Sequence, residues 1–283
     1  MNKKSIWSYY QPLLGGFFIY ILLSVTPAHA QQIQGIPLLD SLLATENYTA
    51  ADAALQSQIK ILHAAGNTDS LAHYPYYVGR IAQLTNGTDH AVERVQSFIS
   101  SIEADQAAAP ALRKAHLELA SFYASAGRLT EAYQTNEKAL DFTHKMAGNI
   151  NEERGVIENN LGVLARRMGN VVLSINHHRK ALNYFEQDDE TAKVNYFISY
   201  NNMGAMMWYS SKTDSALLYY DKALQTLAEM EPNPKNQYYR SANVLNNKAA
   251  LYSISGRTTE ALATMQDAVK KYKQFIDSRR ISD

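Results

Sequence analysis

Between residues 111 and 275 the small and apolar positions recur in blocks with one internal layout. The stretch "GRLTEAYQTNEKAL" from Gly127 places Ala132 and Ala139 five and twelve residues on, and "GNVVLSINHHRKAL" from Gly169 places Ser174 and Ala181 at the same offsets. "SKTDSALLYYDKAL" from Ser211 gives Ala216 and Ala223, and "GRTTEALATMQDAV" from Gly256 gives Ala261 and Ala268. From Ala132 to Ser174 and from Ser174 to Ala216 the step is 42 residues, and from Ala216 to Ala261 it is 45. A period between 20 and 50 residues is the mark of a solenoid, whose units bury their apolar faces only by stacking.

Each block reads as two helices. A small residue stands twelve positions before the alanine of the second helix: Ala120 before Ala132, Gly162 before Ser174, Gly204 before Ala216, Ala249 before Ala261, and Gly79 before Ala91 upstream. Small side chains at both points let antiparallel helices approach closely. The Gly or Ser between them closes the first helix, since glycine tolerates the left-handed cap. Thr130 and Asp214 then stand as N-caps of the second. Proline is scarce, at 7 residues, and runs of Val, Ile and Thr are absent, so the class is all-helical.

The expected architecture is an all-α, right-handed solenoid of antiparallel helix pairs, about five to six hairpins that begin near residue 38. Residues 31–39 read as a linker and 111–275 as four clear repeats. Residues 40–104 read as degenerate hairpins: Ala50, Ala91 and Ala132 keep a 41-residue phase, but Phe98 replaces an expected alanine. "EPNPKN" at 231–236 is a loop that accounts for the longer step. Residues 276–283 read as a tail, and the alternative is that 259–281 is the usual capping helix with its charged face toward solvent.

The first thirty residues read as a targeting segment. Lys3 and Lys4 precede the apolar run Leu13 to Val25, and Ala28-His29-Ala30 fits the small-x-small cleavage rule. The run falls short of the ~20 apolar residues that a spanning helix needs. Export across the inner membrane to the periplasm is therefore expected, and no Cys follows the run to anchor a lipid. Loss of residues 1–30 removes Lys3 and Lys4 and no acid, which takes the net charge from 0 to −2. Such a balance offers no broad pull on nucleic acid or on an anionic membrane. Zero cysteines exclude disulfides, thiolate nucleophiles and thiolate metal sites.

"LELASFYASAGR", "NNLGVLARRMGN", "NNMGAMMWYSSK" and "NNKAALYSISGR" resemble the tetratricopeptide repeat, whose pattern carries Leu-Gly, an aromatic three residues on, then Ala and a later aromatic. The unit of 42 exceeds that family's ~34 residues. With its "NN-x-(G/A)" signature it is similar to the kinesin-light-chain-type variant. The resemblance implies a non-catalytic module whose partner is a protein or peptide, with no cofactor. It also implies that the first helix of each repeat lines a concave face. The ligand-facing set on that basis is Lys114, Asn159, Arg166, Arg167, Asn201, Trp208, Tyr209, Asn243 and Asn246.

Asn159, Asn201 and Asn246 recur at one phase, and a column of carboxamides can hold an extended peptide by its backbone. The alternative is that these residues and their neighbours Asn160, Asn202 and Asn247 bond adjacent helices and hold the stack together. The carboxylate clamp of the family is not matched in order, so a partner with an acidic C-terminus is not expected. The nineteen tyrosines read as packing between helices with hydroxyls toward solvent. His177 and His178 point in different directions on one helix and read as solvated. No nucleotide-binding or hydrolase signature appears, and nothing argues for an enzyme.

The C-terminal "YKQFIDS" is similar to the juxtamembrane end of tetratricopeptide sensor regions in histidine kinases and transcriptional regulators. A truncated sensor region is therefore one alternative, and an envelope assembly or secretion scaffold is another.

Overall fold

The computed structural model describes residues 35–105, 108–185 and 190–280. The leader, its cleavage site and residues 281–283 lie outside the described residues. The regular structure is helical throughout that range, and the chain divides into two compact units, one up to Gly148 and one from Asn149.

The first unit contains α1 (Ile36–Ala44), α2 (Tyr48–Ala64), a short turn α3 (Thr68–Leu71), α4 (Pro75–Asn86), α5 (Thr88–Ile102), α6 (Ala109–Ser125) and α7 (Leu129–Thr143). Helix α1 begins inside the stretch assigned to a linker. Pro37 falls in its first turn, where the missing N–H costs no helix bond. The pairs α1–α2, α4–α5 and α6–α7 pack as hairpins, and α4 also packs along α6. Polar ties cross between pairs: Tyr77 donates to Asp40 Oδ1 at 2.7 Å, Arg94 meets Asp52 at 2.7 Å, and Gln96 donates to the Tyr123 hydroxyl at 2.8 Å.

The second unit contains α8 (Asn151–Arg167), α9 (Val171–Tyr184), α10 (Glu190–Tyr209), α11 (Thr213–Ala228), a π-helical turn (Lys235–Arg240) running into α12 (Ser241–Ile254), and α13 (Thr258–Arg280). The hairpins are α8–α9, α10–α11 and α12–α13. Two boundaries differ from the sequence reading. The loop at 231–236 ends at Pro234, because Asn236 is buried and accepts from Arg240 Nη1 at 2.5 Å and, through its carbonyl, from Ser241 Oγ at 3.0 Å. That bonding turns Lys235 and Asn236 into the start of the π-turn. At the other end, the assigned tail at 276–283 continues α13 as far as Arg280, with Phe275 packed 5.2 Å from the Tyr239 ring.

The turns inside the hairpins follow from the residues named above. Gly127, Gly169 and Gly256 have φ of +77°, +82° and +74°, and Ser211 adopts +57° in the equivalent place. The next residue's N–H then reaches back across the helix end, as in Asn170 to the Ala165 carbonyl and Lys212 to the Met207 carbonyl, both at 2.8 Å. The caps sit elsewhere than expected. Thr130 and Asp214 lie inside the first turns of α7 and α11, and the cap positions are Arg128 and Lys212. Asp214 still favours the helix start through its charge. At the corresponding place before α9, Asn170 accepts from the Leu173 N–H at 3.0 Å and forms a true cap.

The close approach between helices has a specific content. A Cβ built on Gly204 would lie 2.6 Å from the Tyr220 ring, one on Gly162 2.7 Å from the His178 ring, and one on Gly155 2.3 Å from Phe185. In the first unit a Cβ on Gly79 would lie 2.1 Å from Phe122. The notch left by each missing side chain is filled by a ring, from a neighbouring helix or, for Phe185, from the residue that follows α9. The small partners Ala132, Ser174 and Ala216 are buried, whereas Ala261 on α13 is only half-buried.

Replacing Gly204 with Leu gains some helix propensity but drives a side chain into the Tyr220 ring. The expected cost exceeds ~2 kcal/mol, and Ala216→Leu should cost a similar amount. A thermal melt of each variant several degrees below the parent is the expected outcome; one within a degree or two contradicts the packing described.

Candidate functional site

In the second unit the first helices of successive hairpins pack along one another, α8 on α10 and α10 on α12. The second helices α9 and α11 pack instead against the first helices on either side of them. This creates a row of first helices, which carries eight of the nine residues singled out from the sequence. The ninth, Lys114, stands half-buried on α6 in the first unit.

The three in-phase asparagines do not share one environment. Asn159 is 5% exposed. Its Oδ1 accepts from Ser199 Oγ on α10 at 2.8 Å and from His178 Nδ1 on α9 at 2.9 Å. It therefore ties three helices together and belongs to the interior of the unit. Asn201 is half-buried and accepts from Asn247 Nδ2 at 3.4 Å, which links α10 to α12. Asn246 is exposed. One column thus contains an internal tie, a tie between first helices and an open carboxamide.

The remaining positions divide in the same way. Asn243 is half-buried and accepts from the Tyr272 hydroxyl at 2.7 Å. Trp208 is half-buried and stacks on Tyr209 with centroids 6.2 Å apart and planes 17° apart, and Tyr209 is 64% exposed. Arg166 is half-buried and Arg167 exposed, both at the C-terminal end of α8, where cations suit the helix dipole.

The histidines correct the sequence reading. His177 and His178 are both buried. They point in different directions, as their adjacency requires, but each points at protein. His177 Nδ1 lies 2.5 Å from Glu158 Oε2 on α8, while His178 lies over Gly162 with Nδ1 toward Asn159. Because Asn159 Oδ1 can only accept, His178 carries its proton on Nδ1, and its Nε2 is left buried without a partner. Burial lowers the His178 pKa to about 4, with His177 and Arg166 adding to the effect. The tyrosines show a similar departure. Tyr220 is fully buried with an unpartnered hydroxyl, and burial raises its pKa to about 12.

Sequence reasoning also missed Glu118 on α6. It is half-buried, and loss of hydration raises its carboxyl pKa to about 7, against the pull of Lys114. A carboxylate one turn after Lys114 on a first helix was the available signal. The site offers hydrogen-bonding carboxamides, exposed aromatic surface and cations. It does not bring together a nucleophile with a base and an orienting acid.

Residues 153–229 match the family model of the tetratricopeptide repeat. Over that stretch the chain is similar to the tetratricopeptide repeat. No curated protein matches it significantly by sequence. Among solved structures it is similar to BtubC (BKLC) from P. vanneervenii, with a TM-score of 0.68 at 17% identity over 81% of this chain and 91% of that one. It is similar to the apo form of RapI, with a TM-score of 0.63 at 14% identity over 85% of this chain and 65% of that one. It is also similar to the kinesin-light-chain tetratricopeptide-like repeats of Podosopora anserina, with a TM-score of 0.55 at 13% identity over 71% of this chain and 96% of that one. At such identities the likeness is one of fold alone.

Two outcomes follow from the Asn159 and His178 geometry. Asn159→Ala should destabilise the protein by about 1–3 kcal/mol, because it strands Ser199 and His178 in the interior; unchanged stability in a denaturant titration contradicts the assignment. His178 has a folded pKa below its unfolded value of 6.5, so its contribution is present above pH 6.5 and is lost as pH falls toward about 4. The loss amounts to at most about 3 kcal/mol. Glu118 acts in the opposite sense, since its raised pKa gives stability that is present below 4.5 and lost as pH rises through 7. Melts of the parent and of His178→Gln at pH 7 and pH 4.5 separate the two. The parent should lose more on acidification, and equal losses exclude His178 as the cause.

Proposed function

We propose that this chain is an exported, non-catalytic interaction module that holds an extended peptide or protein segment along its row of first helices. Tetratricopeptide repeats build scaffolds for protein–protein contacts, and this coarser role follows from the repeat itself. The observation that supports the finer reading is the continuous packing of α8, α10 and α12. Along it, Asn160 and Asn246 are exposed and Asn202 is half-buried, with the exposed Tyr209 at the end of α10. Carboxamides both donate and accept, so they can pair with the backbone of an extended segment whatever its side chains. Tyr209 on Trp208 supplies a stiff aromatic anchor of the kind that carries binding energy.

The proposal of export rests on Lys3, Lys4, the apolar run and the Ala28-His29-Ala30 site. No helix among the described residues is long and apolar enough to cross a membrane.

A photo-crosslinking side chain placed at Asn246 or Asn202 should trap a protein segment from an envelope extract, and one placed at exposed Leu218 on α11 should not. Equal trapping from both places contradicts the assignment of the face. Tyr209→Ser should weaken binding of the trapped segment by tenfold or more, which corresponds to about 1.4 kcal/mol. For the export reading, N-terminal sequencing of protein recovered from the periplasm should begin at Gln31. Retention of Met1, or recovery from the cytoplasm alone, removes it.

A further inference from the structure

Two residues before each left-handed hairpin turn of the second unit stands an exposed side chain. The turn residues Gly169, Ser211 and Gly256 have positive φ, and the places before them hold Arg167, Tyr209 and Ile254. Their steps of 42 and 45 residues are those of the repeat, so they occupy one position of three successive first helices. Arg167 is exposed, and Tyr209 and Ile254 are 64 and 71% exposed. One phase of the repeat thus presents a cation, an aromatic ring and a branched aliphatic chain.

Contacts between the first helices bring the three to one edge. Glu152 meets Asn195 at 3.4 Å and Asn159 meets Ser199 at 2.8 Å, so α8 and α10 advance in the same direction. The Arg240 guanidinium lies 5.5 Å from the centre of the Phe197 ring, and Asn247 meets Asn201 at 3.4 Å, so α12 advances with them. The C-terminal ends of α8, α10 and α12 therefore lie together, with neighbouring axes about 8–10 Å apart. Arg167, Tyr209 and Ile254 form a row across those ends, and Trp208 stacks behind Tyr209.

The spacing selects a conformation. A β-strand returns a side chain to one side every second residue, about 7 Å on. A polyproline II helix does so every third residue, about 9 Å on, which keeps step with the helices. Its carbonyls make no internal hydrogen bonds, so Asn202 and Asn246 can donate to them.

Charge selects an order. From residue 159 to 185 the chain contains no acid, and α8 ends in Arg166 and Arg167. Farther along the row, Lys212 and Asp214 follow the Ser211 turn together. Glu260 accepts from Arg257 Nε at 2.8 Å, and Asp214 attracts the same guanidinium. The excess of positive charge sits at the Arg167 end.

We infer that these helix ends dock a polyproline II segment with an acidic residue opposite Arg167 and apolar residues opposite Tyr209 and Ile254, at every third place of the segment. The inference rests on the reading that the row of first helices holds an extended segment, and it adds the conformation and the side-chain order of that segment.

The probes are four blocked, fluorescein-labelled peptides. Two have the acid at an end, Glu-Pro-Pro-Leu-Pro-Pro-Leu and its reverse. One has it in the middle, Leu-Pro-Pro-Glu-Pro-Pro-Leu, and one has a strand-like spacing, Glu-Thr-Leu-Thr-Leu. Anisotropy titrations on the whole chain should show an acid-ended proline peptide binding at least tenfold tighter than the other two types. Arg167→Glu should remove that preference and Arg167→Lys should keep it. Ile254→Asp, at an exposed site that tolerates charge, should weaken the preferred peptide at least tenfold while the melt stays within a degree of the parent. Equal binding of all four peptides, tighter binding of the strand-like one, or indifference to Arg167→Glu and Ile254→Asp overturns the inference. Failure of every peptide to bind overturns it as well. Trapping by a crosslinker at Asn246 then tells the two readings apart: if it persists, the face still binds a segment of another kind, and if it is lost, the face itself is wrong.

Discussion

The structure depends on a close contact between a glycine in a first helix and a ring from a neighbouring element. At Gly162, Gly204, Gly155 and Gly79 the ring of His178, Tyr220, Phe185 or Phe122 occupies space that any Cβ would fill. A helix surface without side chains at that point lets a flat, rigid group lie directly on the backbone, which fixes the separation and the rotation of the two helices together. A solenoid has no central core to correct errors elsewhere, so each such local contact sets the geometry of its own unit.

That constraint explains the buried polar groups. A ring held against a glycine has no freedom to turn its polar atoms toward water. His178 can satisfy Nδ1 only because Asn159 lies within 2.9 Å, and Ser199 from the next first helix shares the same oxygen. Its Nε2, like the Tyr220 hydroxyl, remains without a partner. Close packing thus leaves unsatisfied polar atoms inside the second unit and holds His178 neutral well below its ordinary pKa.

The same packing decides which residues remain for binding. A side chain on a first helix is available only where no second helix and no adjacent first helix claims it. Asn159, Asn201 and Asn243 are claimed by His178, Asn247 and Tyr272, whereas Asn246 and Tyr209 stay open. On α13 the situation is reversed. Leu262, Met265, Val269 and Ile276 of α13 remain exposed.

Helices, hairpin turns and the repeat were legible in the sequence because their causes are local. Gly127, Gly169 and Gly256 mark left-handed caps by their own freedom of φ, and Ser211 is recognised from its phase. The alanines at fixed offsets mark where helices approach. The sequence also showed that Asn159, Asn201 and Asn246 stand at equivalent places. It could not show that their surroundings differ, because those depend on which residue of another helix arrives opposite: a histidine, a neighbouring asparagine, or nothing. His177 and His178 were misread for the same reason, since their burial depends on Glu158 and on the Gly162 notch of another helix. Periodicity fixes where a side chain leaves its helix. What it meets is set by contacts between helices some 20 to 45 residues apart in the chain, and only the tertiary structure contains them.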